Sequence, residues 1–503
     1  MHKCSLADCE GLTQTVTLTT IVYFLLLLFL VFSPFYDSIG VPVAQNAIML
    51  MDWHRLTELL VVSLVLITLC SQIWSVSNEC FSLPSLQIYG WLAFFIIGAV
   101  SCVLTFHSRF AWVEWSWILI CGLVVALISL QSARDSYSVI AIARLFTLAV
   151  LASYAPLYYI LNSDFLFDSS AVWQPSFVGF YNVRVFSDFQ TAVVCLLPWA
   201  LSQVSRSTLI RVGAWFLAGC YVALAFVASS RSLVLGQLVA CGAVFLLLGQ
   251  QNAKSYFYGQ LRLWLAGALL YGLLFVVFPA IVADPSNTLK PIGQATLVRF
   301  DGSRRVELWY SSIQFAMDNP WFGIGPMQFA SIINPVAASP HNQILQVMAE
   351  FGIAATVLFV VLISHWLIAV RRGILSELPV MSADERFFSA AIFAAILALF
   401  AQSCVSPVFN NPQSQVLLIF LGGMLGGYLK WSTGSVMSSI RRPVFVLASV
   451  FALLAFAASC LPWALHLEER NACHFASKNR PTAHFSPRFW QQGWIFEPCE
   501  PAL

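Results

Sequence analysis

The chain alternates long apolar runs with short polar interruptions. Runs of ~17–25 apolar residues read as membrane-spanning helices. They fall near 15–36, 57–75, 87–107, 110–130, 139–161, 189–204, 209–229, 232–248, 262–283, 343–370, 387–407, 414–430 and 443–465. The pattern predicts an all-α polytopic membrane protein with about thirteen spans. The longest polar interruption divides it into N-terminal spans (1–283), a large loop (284–342), C-terminal spans (343–465) and a polar tail (466–503). The first run is too long for the apolar core of a signal peptide and lacks a small-residue cleavage site, so it reads as a retained span.

Inside the large loop the pattern changes twice. ADPSNTLKPIGQATLVRFDGS is rich in turn formers and reads as irregular. From Arg304 onward, Val306, Trp309, Ile313 and Ala316 or Met317 recur at helical spacing, which predicts a short amphipathic helix lying on the membrane surface. Asn319-Pro320 ends it, and FGIGP turns the chain back toward the membrane. Then comes SPHNQILQVMAEFG. Ser339 suits an N-cap and Pro340 the first helical position, so His341 and Asn342 are expected in the first turn, among N–H groups that attract anions. Gly352 follows His341 by eleven residues, about three turns and roughly 16 Å further along the same helix face.

Composition confirms the solvent. The 503 residues are 59% hydrophobic and only 10% charged, with a mean hydropathy of +0.80, far from the roughly 25% charge of a soluble domain. A net charge of +2 argues against nucleic acid as a partner. Arg206 with Arg211, Lys254 with Arg262, Arg371 with Arg372, and Arg441 with Arg442 share one side, which the positive-inside rule makes cytoplasmic together with the N-terminus. The loop 162–188, the turn Ser229–Ser232, the loop 284–342 and the tail then face the opposite side. Arg55 and Arg109 break the rule. The thirteen cysteines show no metal-ligand spacing, and most lie in apolar runs as small buried hydrophobes. Cys473 and Cys499 lie in the aromatic-rich tail, which reads as an interfacial cap; a disulfide between them fits a tail outside the cytoplasm.

The chemistry-bearing residues all fall on that opposite side. They are Arg184 in GFYNVRVFSDFQ, Arg231 in ASSRSLVLG, Arg304 and Arg305 ahead of Glu307, and His341. Each has a bland reading when taken alone. Arg231 anchors a helix end, Arg184 pairs with Asp188, Asp164 or Asp168, Arg304 and Arg305 form the basic end of an interfacial helix, and a lone histidine is structural. Taken together they suit a phosphate-bearing substrate, because guanidinium groups bind phosphate through paired donors and stay charged. The positive end of a helix dipole would keep His341 neutral, as a general base for a hydroxyl requires. Asp164, Asp168, Asp188, Asp284, Asp301, Glu307 and Asp318 are scattered without ligand spacing. No metal or other cofactor is therefore expected, and arginines would hold a diphosphate instead. Glu350, on the helix face opposite His341, reads as a structural partner of a neighbouring helix. Glu114, Arg144 and His365 are isolated polar groups without an obvious mid-bilayer partner, which argues against a transport path.

These elements resemble a known superfamily. Arg231 through Leu235 and His341 through Gly352 are similar to two motifs of bacterial O-antigen ligases. RRVELWYSSIQFAMDNPWFGIGPMQF followed by HNQILQVMAEFGI resembles the wider group of O-antigen ligases, O-antigen polymerases and protein O-oligosaccharyltransferases. The resemblance covers about 180–360. It implies a C-type membrane glycosyltransferase architecture in the bacterial inner membrane, with a donor glycan on undecaprenyl diphosphate and metal-independent, inverting catalysis on the periplasmic face. It assigns catalysis to Arg231, Arg305 and His341, and diphosphate binding to Arg231 and Arg305, with Arg304 and Arg184 as further contributors. Asn342, Glu350 and Gly352 are expected to support the acceptor side. GFYNVRVFSDFQ and the aromatic tail look like pilin-glycosylating oligosaccharyltransferases, which implies a Ser or Thr hydroxyl on a pilin-like acceptor. Ligation to the lipid A core of lipopolysaccharide and polymerisation of O-antigen units would use the same kind of site. A lipid-linked glycan flippase is the non-enzyme alternative.

Overall fold

The computed structural model describes residues 23–32, 47–75, 81–134, 136–161, 177, 179–180, 183–205, 207–278, 281, 304–332, 337–428, 437–440 and 442–465. The first half holds α1 (Tyr23–Phe32), α2 (Ala47–Ser75), α3 (Ser85–Leu104), α4 (Ser108–Arg134), α5 (Ser136–Leu161), α6 (Val183–Leu201), α7 (Thr208–Val227), α8 (Arg231–Leu248) and α9 (Gln250–Gly272). The second half holds α10 (Arg305–Asp318), α11 (Gln343–Glu377), α12 (Ala383–Ser403), α13 (Pro412–Tyr428) and α14 (Arg442–Leu465). Every expected span coincides with one of these helices, and α10 stands where the amphipathic helix is expected. Seven of the described helices are long and apolar enough to cross a membrane, so the chain is an all-helical polytopic membrane protein. A four-residue antiparallel pair, Phe81–Pro84 with Met437–Ile440, is the only strand structure among the described residues. Cys473, Cys499 and the tail lie outside the described residues.

Helix α6 is the hub. Every residue from Val185 to Leu201 is buried, as befits a helix that is surrounded on all sides. Three glutamine amides lock it to its neighbours. Gln190 of α6 donates to the Tyr221 carbonyl (2.6 Å), Gln237 of α8 to the Thr191 carbonyl (2.6 Å), and Gln260 of α9 to the Val194 carbonyl (3.0 Å). In hydrocarbon such amides find backbone partners on adjacent helices, and here they fix how α7, α8 and α9 sit around α6. Helix α8 presses on α12 so closely that a β-carbon at Gly236 would lie 2.9 Å from the Ala398 carbonyl oxygen.

The charges that looked isolated all have partners. Arg144 bonds Asp384 at 2.7 Å, and its guanidinium lies 4.7 Å from the Trp199 ring centre. Gln87 donates to His365 Nδ1 at 2.9 Å, and Gln346 to Glu114 at 3.3 Å. Arg55 is fully buried and bonds Glu58 (2.5 Å), Gln415 (2.5 Å) and the Asn410 carbonyl (2.7 Å). Its place is decided by this internal network, which explains why it ignores the charge rule.

Helix α10 buries Leu308, Ser312 and Ala316, with Leu308 packed on Phe329 and on Ala349 of α11. The predicted stripe divides between two faces: Val306, Ile313 and Met317 are exposed, whereas Trp309 is half-buried and Ala316 buried. That suits a helix sandwiched between the protein and a lipid surface.

Helix α11 is not the straight rod that the spacing implied. Gly352 has φ 89° and ψ 171°, so the chain is helical on either side of a break there. The backbone groups freed by the break are taken up by the turn after α10. Ile324 N–H donates to the Ala349 carbonyl (2.9 Å), Gly325 N–H to the Glu350 carbonyl (3.0 Å), and Ile353 N–H to the Pro320 carbonyl (2.8 Å). A broken helix in a membrane protein needs such satisfaction. Ser101 and Thr105 hydroxyls pin the same turn to the end of α3, through the carbonyls of Phe322 (2.6 Å) and Ile324 (2.9 Å). Glu350 is buried and takes a structural bond. Its carboxylate accepts from the Phe329 backbone N–H at 3.1 Å, so it anchors the loop that carries Met327 and Phe329.

Candidate active site

Three helices start at one end of the bundle beside this stitched turn. Arg184 is the second residue of α6 and Arg231 the first of α8, so both sit in first turns, where unpaired N–H groups already favour anions. The Ser230 side chain caps α8 by accepting from Leu233 N–H, and Ser229 adopts a left-handed φ of 49° to make the reversal from α7. Both arginines are exposed at the surface of this end.

The adjacent arginines before α10 separate. Arg304 takes a left-handed φ of 51°, and its exposed guanidinium pairs with Glu307 through contacts of 2.9 and 3.1 Å. Arg305 is half-buried and turns inward. Burial lowers its pKa from the ordinary value, Arg184 and Arg231 repel it in the same direction, and Asp188 opposes them. Arg305 therefore lies within electrostatic reach of two arginines that are far from it in the chain.

His341 completes the group, from a different local structure than expected. The cap of α11 is Asn342, whose Oδ1 accepts from the backbone N–H groups of Ile344 and Leu345, each at 3.1 Å. Ser339 and Pro340 are buried ahead of the helix. His341 sits just outside it with a left-handed φ of 54°. Trp309 of α10 donates to the Pro340 carbonyl at 3.1 Å, tying the helix that starts with Arg305 to the histidine turn. The imidazole is nearly buried, and Nδ1 has no hydrogen-bond partner among the described residues. Burial, then Arg305, then Arg184, lower its pKa to about 4. The ring is neutral near pH 7 as expected, but burial and arginines do this, because the histidine lies outside the helix whose dipole was credited.

Asp188 is the member whose importance the sequence hid. One turn into α6 from Arg184, its buried Oδ1 accepts from Gln402 (2.8 Å) and Ser406 (2.7 Å), and its Oδ2 from Asn411 (2.7 Å). All three donors belong to the α12–α13 connection or its edge. Gln402 also donates to Ser232 Oγ at 3.2 Å, the residue after Arg231. The carboxylate lies within electrostatic reach of Arg305 and Arg184. The polar run between the last two pairs of spans, CVSPVFNNPQ, is the only sequence sign of this network.

A cavity of about 230 Å³ lies beneath the start of α11, lined among others by Gln343, Gln346, Glu114, Glu350 and Asn410 against Trp91 and Phe351, and it includes none of Arg184, Arg231, Arg305 and His341. Among the described residues, no group of three or more histidine, cysteine or acidic side chains converges as metal ligands would. Chemically, the cluster presents three guanidinium groups and three helix N-termini to an anion, with a neutral, unpartnered imidazole nitrogen beside them.

Residues 216–360, which carry Arg231, Arg305 and His341 but not Arg184 or Asp188, match a family model described as O-Antigen ligase. No curated protein matches the chain.

Proposed function

We propose, on the match of residues 216–360 to a family model described as O-Antigen ligase, that this membrane protein moves a glycan from undecaprenyl diphosphate to a hydroxyl. The observation that carries this reading is the meeting of Arg184, Arg231, Arg305 and His341, drawn from three separate stretches of chain, at one end of the bundle. Arg231 and Arg305, with Arg184, hold the diphosphate and take up its charge as it leaves. The acceptor oxygen attacks the anomeric carbon as the carbon–oxygen bond to the diphosphate breaks, which inverts that carbon. The electron pair leaves with the diphosphate and the hydroxyl proton passes to His341. No metal is required by this scheme, since guanidinium groups supply the charge.

The exposed apolar face of α10 supports a site at a membrane surface, and the lysine and arginine pattern supports the periplasmic side. A Ser or Thr hydroxyl of a pilin-like protein is the acceptor we favour, on the likeness of GFYNVRVFSDFQ to pilin-glycosylating enzymes. Reconstituting the purified protein with undecaprenyl-diphosphate glycan and offering either pilin or lipid A core tests both parts. Glycopeptides in the mass spectrum, unaffected by a chelator, are expected. Transfer to lipid A core or to a second glycan unit instead would replace the acceptor, and movement of the intact donor across the bilayer without transfer would replace the enzyme reading.

A further inference from the structure

We infer that Trp309 is the positioning residue of the acceptor side: its indole N–H fixes the peptide that leads into His341, and so aims the imidazole at the acceptor hydroxyl. This rests on the proposed role of His341 in transfer and adds to it the residue that couples the base to the diphosphate clamp.

The starting point is an uncommon backbone. His341 has φ 54°, a region that residues with a side chain seldom occupy and keep only where their surroundings hold them. Two anchors do so. On the helix side, Asn342 Oδ1 accepts from the Ile344 and Leu345 N–H groups at 3.1 Å each, and the Asn342 carbonyl accepts from Gln346 N–H at 2.9 Å. On the other side, the Pro340 carbonyl accepts the Trp309 indole N–H at 3.1 Å. That carbonyl belongs to the same planar peptide unit as the His341 nitrogen, so a bond to it sets the plane from which the His341 Cα departs. With both flanking segments held, the direction of the His341 side chain is settled by the backbone. Its Nδ1, which has no hydrogen-bond partner among the described residues, contributes nothing to that aim and stays available to an acceptor.

Trp309 is itself firmly seated. Its ring packs on the cluster of Leu308, Phe329 and Ala349. It follows Arg305 by one turn of α10, on the same helix face, and both residues are half-buried. Base and clamp therefore hang on one helix, with a guanidinium at its first residue and the donor that fixes the histidine turn four residues on. Transfer needs the base and the departing diphosphate at opposite sides of one sugar carbon, and a misplacement of about 1 Å can cost about 10²-fold. Trp309 acts through the His341 backbone and touches neither donor nor acceptor.

Trp309→Phe removes the indole donor and keeps an aromatic ring against Leu308, Phe329 and Ala349. Two tryptophan analogues at position 309 keep the ring shape as well: 5-fluorotryptophan retains the N–H, and benzothienylalanine has sulfur in its place. The test uses full-length protein in lipid nanodiscs, with undecaprenyl diphosphate as the binding probe and glycan transfer as the second readout. The benzothienylalanine protein is expected to bind the probe and to unfold thermally like the 5-fluorotryptophan protein, with KM within about twofold and kcat lower by about tenfold or more. Trp309→Phe is expected to follow it, and 5-fluorotryptophan to restore kcat. Equal kcat for the two analogues would overturn the inference. So would a loss confined to probe binding or to the unfolding midpoint, which would leave Trp309 a packing residue. Full transfer by a His341→Asn protein would instead overturn the role of the histidine itself, and this inference with it.

Discussion

The backbone of Gly352 lies directly against that of Trp321. A β-carbon at Gly352 would come within 2.7 Å of both the carbonyl carbon and the carbonyl oxygen of Trp321. The contact seats the turn after α10 in the break of α11, so one glycine couples the loop that carries Arg305 to the helix that follows His341. With φ at 89°, the position also lies in a region that is nearly reserved for glycine, where another residue costs about 1–3 kcal/mol from backbone strain alone. Gly352→Ala should therefore lower the midpoint of thermal unfolding and the yield of monodisperse protein. An unchanged midpoint would show that the turn yields without loss.

His341 is predicted to be indispensable for transfer but not for folding. Because its φ is 54°, Asn is the suitable replacement, since it tolerates the left-handed region better than other non-glycine residues. His341→Asn should abolish glycan transfer while unfolding and membrane insertion stay as in the parent. Full transfer activity in this variant would remove His341 from the mechanism.

The arginines should separate by local geometry. Arg304 is exposed and paired with Glu307, and such a surface pair is worth only about 0–1 kcal/mol. Arg304→Ala should leave transfer rates nearly unchanged. Arg231→Lys and Arg305→Lys should each lose about 10²-fold in kcat/KM, because an ammonium cannot reproduce the paired donors of a guanidinium. Equal losses in steady-state kinetics at Arg304 and Arg305 would contradict the inward placement of Arg305.

The pH dependence follows from His341. Its pKa is lowered from 6.5 to about 4, by burial first and by Arg305 and Arg184 after that. A base works when neutral, so activity is lost as pH falls through this value. The acid limb of kcat/KM, which reports the free enzyme, should lie near pH 4. The limb of kcat should lie higher, because bound diphosphate offsets the arginine charges and raises the imidazole pKa. Rate profiles between acidic and neutral pH decide this; coincident limbs would mean that the donor does not sit on those arginines.

Arg55 offers a prediction about stability alone. It is buried with Glu58 at 2.5 Å, and removing one partner of such a pair leaves a stranded charge, at a cost of about 3–5 kcal/mol. Arg55→Met should sharply reduce thermal stability, and Arg55→Met with Glu58→Gln should recover most of it. Matching midpoints for the two variants would argue that the ion pair is not what matters at this position.

The helical spans, the amphipathic α10 and the identities of Arg184, Arg231, Arg305 and His341 were legible from the chain alone. Each rests on a local cause: hydrophobic period, turn chemistry, or a charge placed against the usual bias. What the tertiary structure decided is non-local. Spacing along a helix assumes helical dihedrals, and the positive φ of Gly352 breaks that assumption because Trp321 and Gly323 occupy the space a side chain would need. The cap on α11 passes from Ser339 to Asn342 because Pro340 is held back by Trp309, a contact that no sequence window contains. The preference for Arg305 over Arg304 came only from the resemblance, whereas the structure separates them physically: the left-handed turn at Arg304 takes its guanidinium to Glu307, and Arg305 is half-buried. The three donors to Asp188 come from the far end of the chain, so no window around Arg184 shows them. Hydrophobic pattern determines which segments enter the membrane, whereas the site depends on which ends those segments bring together, and only packing around α6 settles that.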